Sequence, residues 1–256
     1  METLLKILQI PDSCLLNKKI TKAFFKRNFD LKSAEKKLLD DFSQLAQVDW
    51  LASIKPLNSN ISECTFDQSV FEEVVIISAL TNDIDFDKNK QRIAELIQKN
   101  IPYHILLCIY NSTTFVLNTC DKRMNQNDAA KRTIEKYYFT ENISISAPTT
   151  KQKQFIKSLA FSELDKQNLK TFFDSYTSRL IALKAADITG NFTIRTHERS
   201  KQDVQFLEKI TLLKSEILTL QNQAKNETQL NLQVQLNAAI QDRRKEIKEL
   251  ENLITT

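Results

Sequence analysis

Apolar positions along this chain change period twice, and the changes divide it into three blocks. In the first block, Val48 to Ile54 and Glu73 to Leu80 are short runs rich in branched side chains, which read as strands. Val74-Val75-Ile76-Ile77 is apolar on both faces, so it predicts an inner strand. Ile105 to Tyr110 and Thr113 to Thr119 are two further strand-like runs, and Asn111-Ser112 between them reads as a two-residue hairpin turn. Spacing of three and four residues appears in Asn17 to Asn28, which predicts a helix with Ile20, Ala23 and Phe24 facing inward. It recurs at Leu31, Ala34, Leu38, Phe42 and Leu45, where Asp30 can cap the start. Asp87 opens a third helix that runs to about Asn100, buries Ile93, Leu96 and Ile97, and stops before Pro102. The order strand, strand, helix, strand, strand predicts an α+β head over residues 1–145, a mainly antiparallel sheet covered by helices.

The second block is helical. Residues 142–149, with Pro148, read as its connection to the head. Ser162 is a candidate cap, and Leu169, Phe172, Phe173, Tyr176, Leu180, Ile181 and Leu183 repeat at helical spacing, predicting a neck over 150–192. The third block, 200–256, carries heptad spacing at Ile210, Leu213, Ile217, Leu220 and Ala224, and again at Leu236, Ile240, Arg243, Ile247, Leu250 and Ile254. This predicts a coiled coil or a helical hairpin in which Ile210, Leu213, Ile217, Leu220, Ile240, Ile247 and Leu250 form the pairing surface toward a partner. The phase slips between Asn226 and Leu232. With neither Gly nor Pro there, a continuous helix through a stutter is favoured, and the polar run Lys225 to Gln229 keeps a hairpin open. Arg243 at a core position disfavours a simple symmetric pair.

Composition then removes most chemistry. Gly190 is the only glycine among 256 residues, whereas P-loops, Rossmann fingerprints, kinase lids and nucleophile elbows each need at least two at fixed spacing. Gly190 follows Ala186-Asp187-Ile188-Thr189, where a helix end wants it. There are two histidines and four cysteines. Cys14, Cys64, Cys108 and Cys120 show no paired metal-ligand spacing, so reduced thiols are expected, with no metal and no cofactor. Lys and Arg outnumber Asp and Glu by 36 to 32, a mild excess that permits local nucleic-acid contact without demanding it. No leader sequence and no apolar run of about 18 residues is apparent. A cytoplasmic chain without membrane contact is expected.

Two basic segments are candidate nucleic-acid contacts. In Cys120 to Asp128, read as a loop beyond a strand, Lys122 and Arg123 could hold a phosphate while Asn125 and Gln126 read a base edge. Lys18, Lys22 and Lys26 recur at four-residue spacing with Phe24, Phe25 and Phe29 interleaved, a face that could neutralise phosphates. The plainer reading is favoured for each: a solvated loop leading into a helix for the first, and an amphipathic surface helix with core phenylalanines for the second. A metal-dependent nuclease is the alternative, built from Glu72, Glu73, Asp83, Asp85 and Asp87 with Lys122. Against it, Glu73-Val74-Val75 lacks the lysine that an acid-x-Lys strand supplies. His104, with no acid or nucleophile fixed beside it, reads as a packed structural residue.

Several segments together resemble a known family. They are Met1 to Lys6 with Ile10-Pro11, Asn17 to Ile20, Val48 to Leu51 running to Lys55-Pro56, Arg92 to Ile97 with Ile101-Pro102-Tyr103, Lys122 to Gln126, and Ala185 to Gly190. In order and spacing they are similar to the bacterial family called domain of unknown function 4391, over essentially the whole chain. The resemblance implies an accessory subunit of a restriction or anti-phage defence system, because such members are typically encoded beside DNA methyltransferases and helicases. It implies no catalytic residue. The expected partners are a methyltransferase or helicase subunit, DNA in addition, and a second copy through the coiled coil; a nuclease effector is the alternative.

Overall fold

A computed structural model describes residues 2–255 except 42–43, 68, 84–85 and 126–127, with backbone alone at 2–3, 124–125 and 128–131. The chain forms two compact units, Met1–Leu180 and Ile181–Thr256.

In chain order the first unit begins with α1 (Glu2–Leu8), β1 (Leu15–Lys19), α2 (Lys22–Asn28), α3 (Ser33–Asp40) and β2 (Gln47–Ile54). Then come α4 (Pro56–Ser59), β3 (Cys64–Phe66), β4 (Ser69–Phe71), β5 (Val74–Leu80), α5 (Phe86–Asn100) and β6 (His104–Tyr110). It continues through β7 (Thr114–Asn125), β8 (Asp128–Phe139), β9 (Ile143–Ser144) and α6 (Thr150–Ser158) into α7 (Leu169–Thr189). The main sheet runs β1-β2-β5-β6-β7-β8, with β9 on the edge of β7. All its pairings are antiparallel except β5 with β6, which the α5 crossover joins in parallel. The mixed, mostly antiparallel sheet under helices is the predicted architecture, with the single parallel step added. Val75, Ile76 and Ile77 are fully buried, as an inner strand requires.

One sheet face packs on α2, α3 and α5. Ile77, Ala79, Leu107, Ile109 and Val116 meet Phe25, Leu38, Ile93 and Ile97 there, in one apolar core. Complete burial of each large side chain contributes about 1.5–3 kcal/mol. Gln98 is fully buried among them, and its amide donates to Ile105 O at 3.2 Å and Asn118 Oδ1 at 2.9 Å, while Cys120 Sγ donates to its carbonyl oxygen at 3.1 Å. A buried amide satisfied at both ends is tolerated, because its desolvation is offset. The opposite face meets α7 through Thr177 Oγ1, 3.0 Å from Thr119 Oγ1, and through Phe173, edge-on to His104 at 5.1 Å.

Several boundaries differ from the sequence reading for physical reasons. Asn17 to Lys19 pair with β2 as an edge strand instead of opening a helix, with Asn17 at φ 48 where the register slips. The helix therefore starts at Lys22, capped by Thr21 Oγ1 accepting from Phe24 N at 3.1 Å, and it buries Phe25 rather than Ala23 and Phe24. Asn168, not Ser162, caps α7, its side-chain oxygen accepting from Thr171 N at 3.0 Å. The turn after Asn111 is organised by its side-chain oxygen, which accepts from Thr113 N at 3.0 Å and Thr114 N at 2.7 Å. Gly190 ends α7 in the left-handed region at φ 79, its N–H bonded to Ala186 O at 3.0 Å.

The second unit holds α8 (His197–Asn226) and α9 (Leu230–Thr255). The favoured continuous helix is corrected here: α8 stops at Asn226 although no Gly or Pro follows. Glu227 side-chain oxygen accepts from Thr228 N at 2.8 Å and Gln229 N at 2.9 Å, giving the connecting residues their hydrogen bonds. The helices lie antiparallel, since Lys209 pairs with Glu246 at 3.2 Å while the later Glu216 pairs with the earlier Arg243 at 3.2 Å. Ile210, Leu213, Ile217, Ile240 and Ile247 are buried, and Leu220 and Leu250 partly so. Among the described residues no helix is long and apolar enough to cross a membrane.

Candidate functional site

The predicted basic site around Lys122 is not assembled. Residues 120–125 continue β7 rather than forming a loop, and successive strand side chains point to opposite faces. Lys122 turns inward, 5% exposed, and its ammonium donates to Ile101 O at 2.9 Å and Tyr103 O at 2.7 Å. Burial is the main reason its pKa falls to about 8. It ties the α5–β6 connection to the sheet and offers nothing to a phosphate. Arg123 points outward and pairs with Glu135 at 2.8 Å, both half-exposed, a contact of about 0–1 kcal/mol. The side chain of Asn125 and all of Gln126 lie outside the described residues.

The carboxylate set is not assembled either. Glu73 precedes β5, whereas Asp83 and Asp87 follow it. The strand between them spans about 20 Å at roughly 3.3 Å per residue, while carboxylates sharing metals must converge within about 5 Å. Glu73, Asp83 and Asp87 already have partners: Ser53 Oγ donates to Glu73, and Lys55 Nζ lies 3.1 Å from its other oxygen. Asp83 accepts from Ser112 Oγ at 2.9 Å and 2.8 Å, and Asp87 from Lys90 at 2.5 Å and Asn142 at 2.9 Å. Glu72 is exposed, and Asp85 lies outside the described residues. No group of three or more potential metal ligands occurs among the described residues. His104 is stacked on Phe71 at 3.8 Å and buried, and desolvation with the nearby Lys122 cation drives its pKa down to about 3. Such a histidine stays neutral and packs, as its sequence context suggests.

What the fold does build is a cleft of about 540 Å³ beside the β1 edge, lined by Lys18, Lys19, Lys55, Phe24, Trp50 and Tyr103, with Glu73 and Ser53 in its wall. Three distant segments make it. The register of β1 on β2 sets Lys18 beside Trp50. Pro56 starts α4, and Asn58 holds that turn, its side-chain oxygen accepting from Lys55 N at 2.8 Å while its amide donates to Ser53 O at 2.8 Å. Lys55 thereby reaches over the buried Glu73. From the α5–β6 connection comes Tyr103, whose ring meets the Trp50 indole edge-on at 6.1 Å. Burial, with the Glu73 and Glu72 charges, raises the Tyr103 pKa and keeps its phenol a hydrogen-bond donor. The Trp50 indole N–H finds no acceptor among the described residues.

Three lysines and one carboxylate, Glu73, are among the residues lining the cleft, so cations outnumber anions between its aromatic walls. It suits an anionic ligand bearing a flat ring, because phosphates pair with ammonium groups and bases stack on indole or phenol faces. Of the predicted lysine face only Lys18 lines it. Lys22 is half-buried with Nζ shielded from solvent, and Lys26 pairs with Asp40 at 2.5 Å on the surface. The contributions of Trp50, Lys55 and Tyr103 were invisible as a site in sequence, since their only local signals are the Lys55-Pro56 and Pro102-Tyr103 turns.

The predicted partner-facing residues of α8 and α9 are engaged against each other: Ile210, Leu213, Ile217, Ile240 and Ile247 face the neighbouring helix of the same unit and are not a free surface. Beyond them Leu212, Leu218, Leu230 and Val234 are more than half exposed. One element went unread: the carboxylate of Asp203, fully buried, pairs with Arg199 Nε at 2.9 Å and Arg195 Nε at 3.5 Å. The same arginines donate to the Leu253 and Ile254 carbonyls at 2.6–3.0 Å, satisfying the C-terminal end of α9.

No curated protein and no solved structure matches the chain. A family model described as domain of unknown function (DUF4391) matches residues 8–247, nearly the whole length, and the chain belongs to that family.

Proposed function

We propose that this chain is a non-catalytic accessory subunit of a bacterial restriction or anti-phage defence system, cytoplasmic, which holds nucleic acid in the Lys18–Trp50–Lys55–Tyr103 cleft. The observation that carries this reading is the cleft itself: lysines around aromatic walls at a sheet edge, with the one carboxylate in its lining, Glu73, already paired. Three segments of the family resemblance, around Lys18-Lys19, Trp50 to Pro56 and Pro102-Tyr103, converge on it. The resemblance supplies the partner, a DNA methyltransferase or helicase subunit. The α8–α9 pair, as a coiled-coil-like arm, is the part suited to dock that subunit through its exposed leucines.

Single-stranded nucleic acid fits better than duplex, because stacking on Trp50 and Tyr103 needs an unstacked base. A fluorescein-labelled oligonucleotide of mixed sequence, followed by anisotropy against the full chain, tests it. Three phosphate contacts predict a log–log salt slope near −2, about a twentyfold loss between 50 and 200 mM salt. Changing Lys18, Lys19 and Lys55 together to Glu should abolish binding with an unchanged far-UV spectrum, whereas Arg123→Glu should have little effect. Equal binding by the triple variant sinks the cleft as the contact.

A further inference from the structure

On the sheet face opposite the α5 core lies a second cavity, of about 200 Å³, whose floor is Ser78 of β5 and Cys108 of β6. These two are register partners in the parallel pair, so their side chains stand next to each other on one face. Leu4, Ile7, Phe115 and Ile156 make the lining predominantly apolar, and Tyr110, Asn111 and Ser144 are its further polar members. Ile145, at its border, is 43% exposed, so the cavity reaches the surface beside it.

Ser78 is the unusual member. It interrupts the apolar run of an inner strand, is 1% exposed, and its hydroxyl has no hydrogen-bond partner among the described residues. Its other register partner, Asp49, has both carboxylate oxygens engaged by the Gln47 amide at 2.8 and 2.7 Å. A buried hydroxyl without a partner is costly where alanine would fit. Of the other polar residues in the lining, Asn111 Oδ1 and Ser144 Oγ already accept from backbone N–H groups, which leaves few of the two to four partners a water needs, whereas a dry cavity of about 150 Å³ already accepts a benzene-sized molecule.

We propose that this cavity is a binding site for a small, mainly apolar molecule, a single ring or short alkyl chain, carrying one hydroxyl or carbonyl that hydrogen-bonds to Ser78 Oγ. The site binds and does not react: burial pushes the Cys108 thiol up to about 12, which keeps it protonated and poorly nucleophilic. The inference is independent of the nucleic-acid cleft, which lies on the other side of the sheet.

Phenol and toluene, near-isosteres that differ in the hydroxyl, are the probes. Titrated into the full chain by calorimetry and thermal melting, phenol should bind about five- to tenfold tighter than toluene, the ratio one neutral hydrogen bond supports. In Ser78→Ala the ratio should fall to near one while toluene affinity is kept. Ile156→Trp should fill the cavity and block both probes with the circular dichroism unchanged; if that variant does not fold, the Ser78→Ala ratio decides alone. Failure of both probes to bind the unaltered chain at millimolar concentration, or a phenol preference that survives in Ser78→Ala, overturns the proposal.

Discussion

Two buried ionisable residues show how the same desolvation serves different ends. Lys122 keeps its ammonium hydrogen-bonded to two carbonyls, whereas His104 Nε2 has no partner among the described residues and its ring packs against Phe71 and Phe173. For His104 the folded pKa, about 3, lies below its ordinary value of 6.5. The unfolded chain therefore binds the proton more readily, so stability is full above pH 6.5 and is lost as pH falls toward 3. Integrated from pH 8 to pH 5, the loss is about 2 kcal/mol. Urea denaturation at both pH values should show that drop, and His104→Leu should remove most of it. An unchanged pH dependence in the variant would mean that His104 is not the titrating group.

At the scale of elements, the α8–α9 pair is held by more than its apolar seam. Asp203 is fully buried, and two arginines bridge it to the last carbonyls of α9. Cations near a helix C-terminus are favourable, and here they also neutralise the carboxylate. Removing one member of such a group leaves uncompensated charge, so Asp203→Ala should cost about 3 kcal/mol. Hydrogen exchange should then speed up in residues 197–255, and Asp203→Asn, which can still accept, should recover part of the protection. If exchange there is unaltered, the apolar seam alone carries the pairing. Arg243 fits the same arrangement: its position would destabilise a symmetric pair, but across from Glu216 at 3.2 Å it is accommodated.

For the whole molecule, β5 is the organising axis. It is buried on both faces, carries the α5 core on one side and the Ser78 cavity on the other, and separates Glu73 from Asp83 and Asp87. Ile76→Asp places an unpaired carboxylate in the fully buried centre of the sheet, a cost of several kcal/mol, and is expected to unfold the Met1–Leu180 unit. Loss of exchange protection throughout β2, β5 and β6 checks this. A stable variant with those strands still protected would show that the strand can rearrange around the charge.

How much of this was legible follows from the range of the forces involved. Periodicity and composition by themselves determined the inner strand at Val74 to Leu80, the α5 face of Ile93, Leu96 and Ile97, the helical character of the last block though not its break after Asn226, and the stop at Gly190, because each rests on neighbours within a few residues. They misread Asn17 to Lys19 as helix and Cys120 to Asn125 as loop, since cross-strand pairing with β2 and β8 outweighs local propensity. Only the tertiary structure decided which charges are available. It buried Lys122 and paired Glu73 with Lys55. It also gathered Lys18, Trp50, Lys55 and Tyr103 from three segments into one cleft, and left Ser78 hydroxyl facing an apolar cavity. Burial and long-range register set those outcomes, and neither is a property of any short stretch of chain.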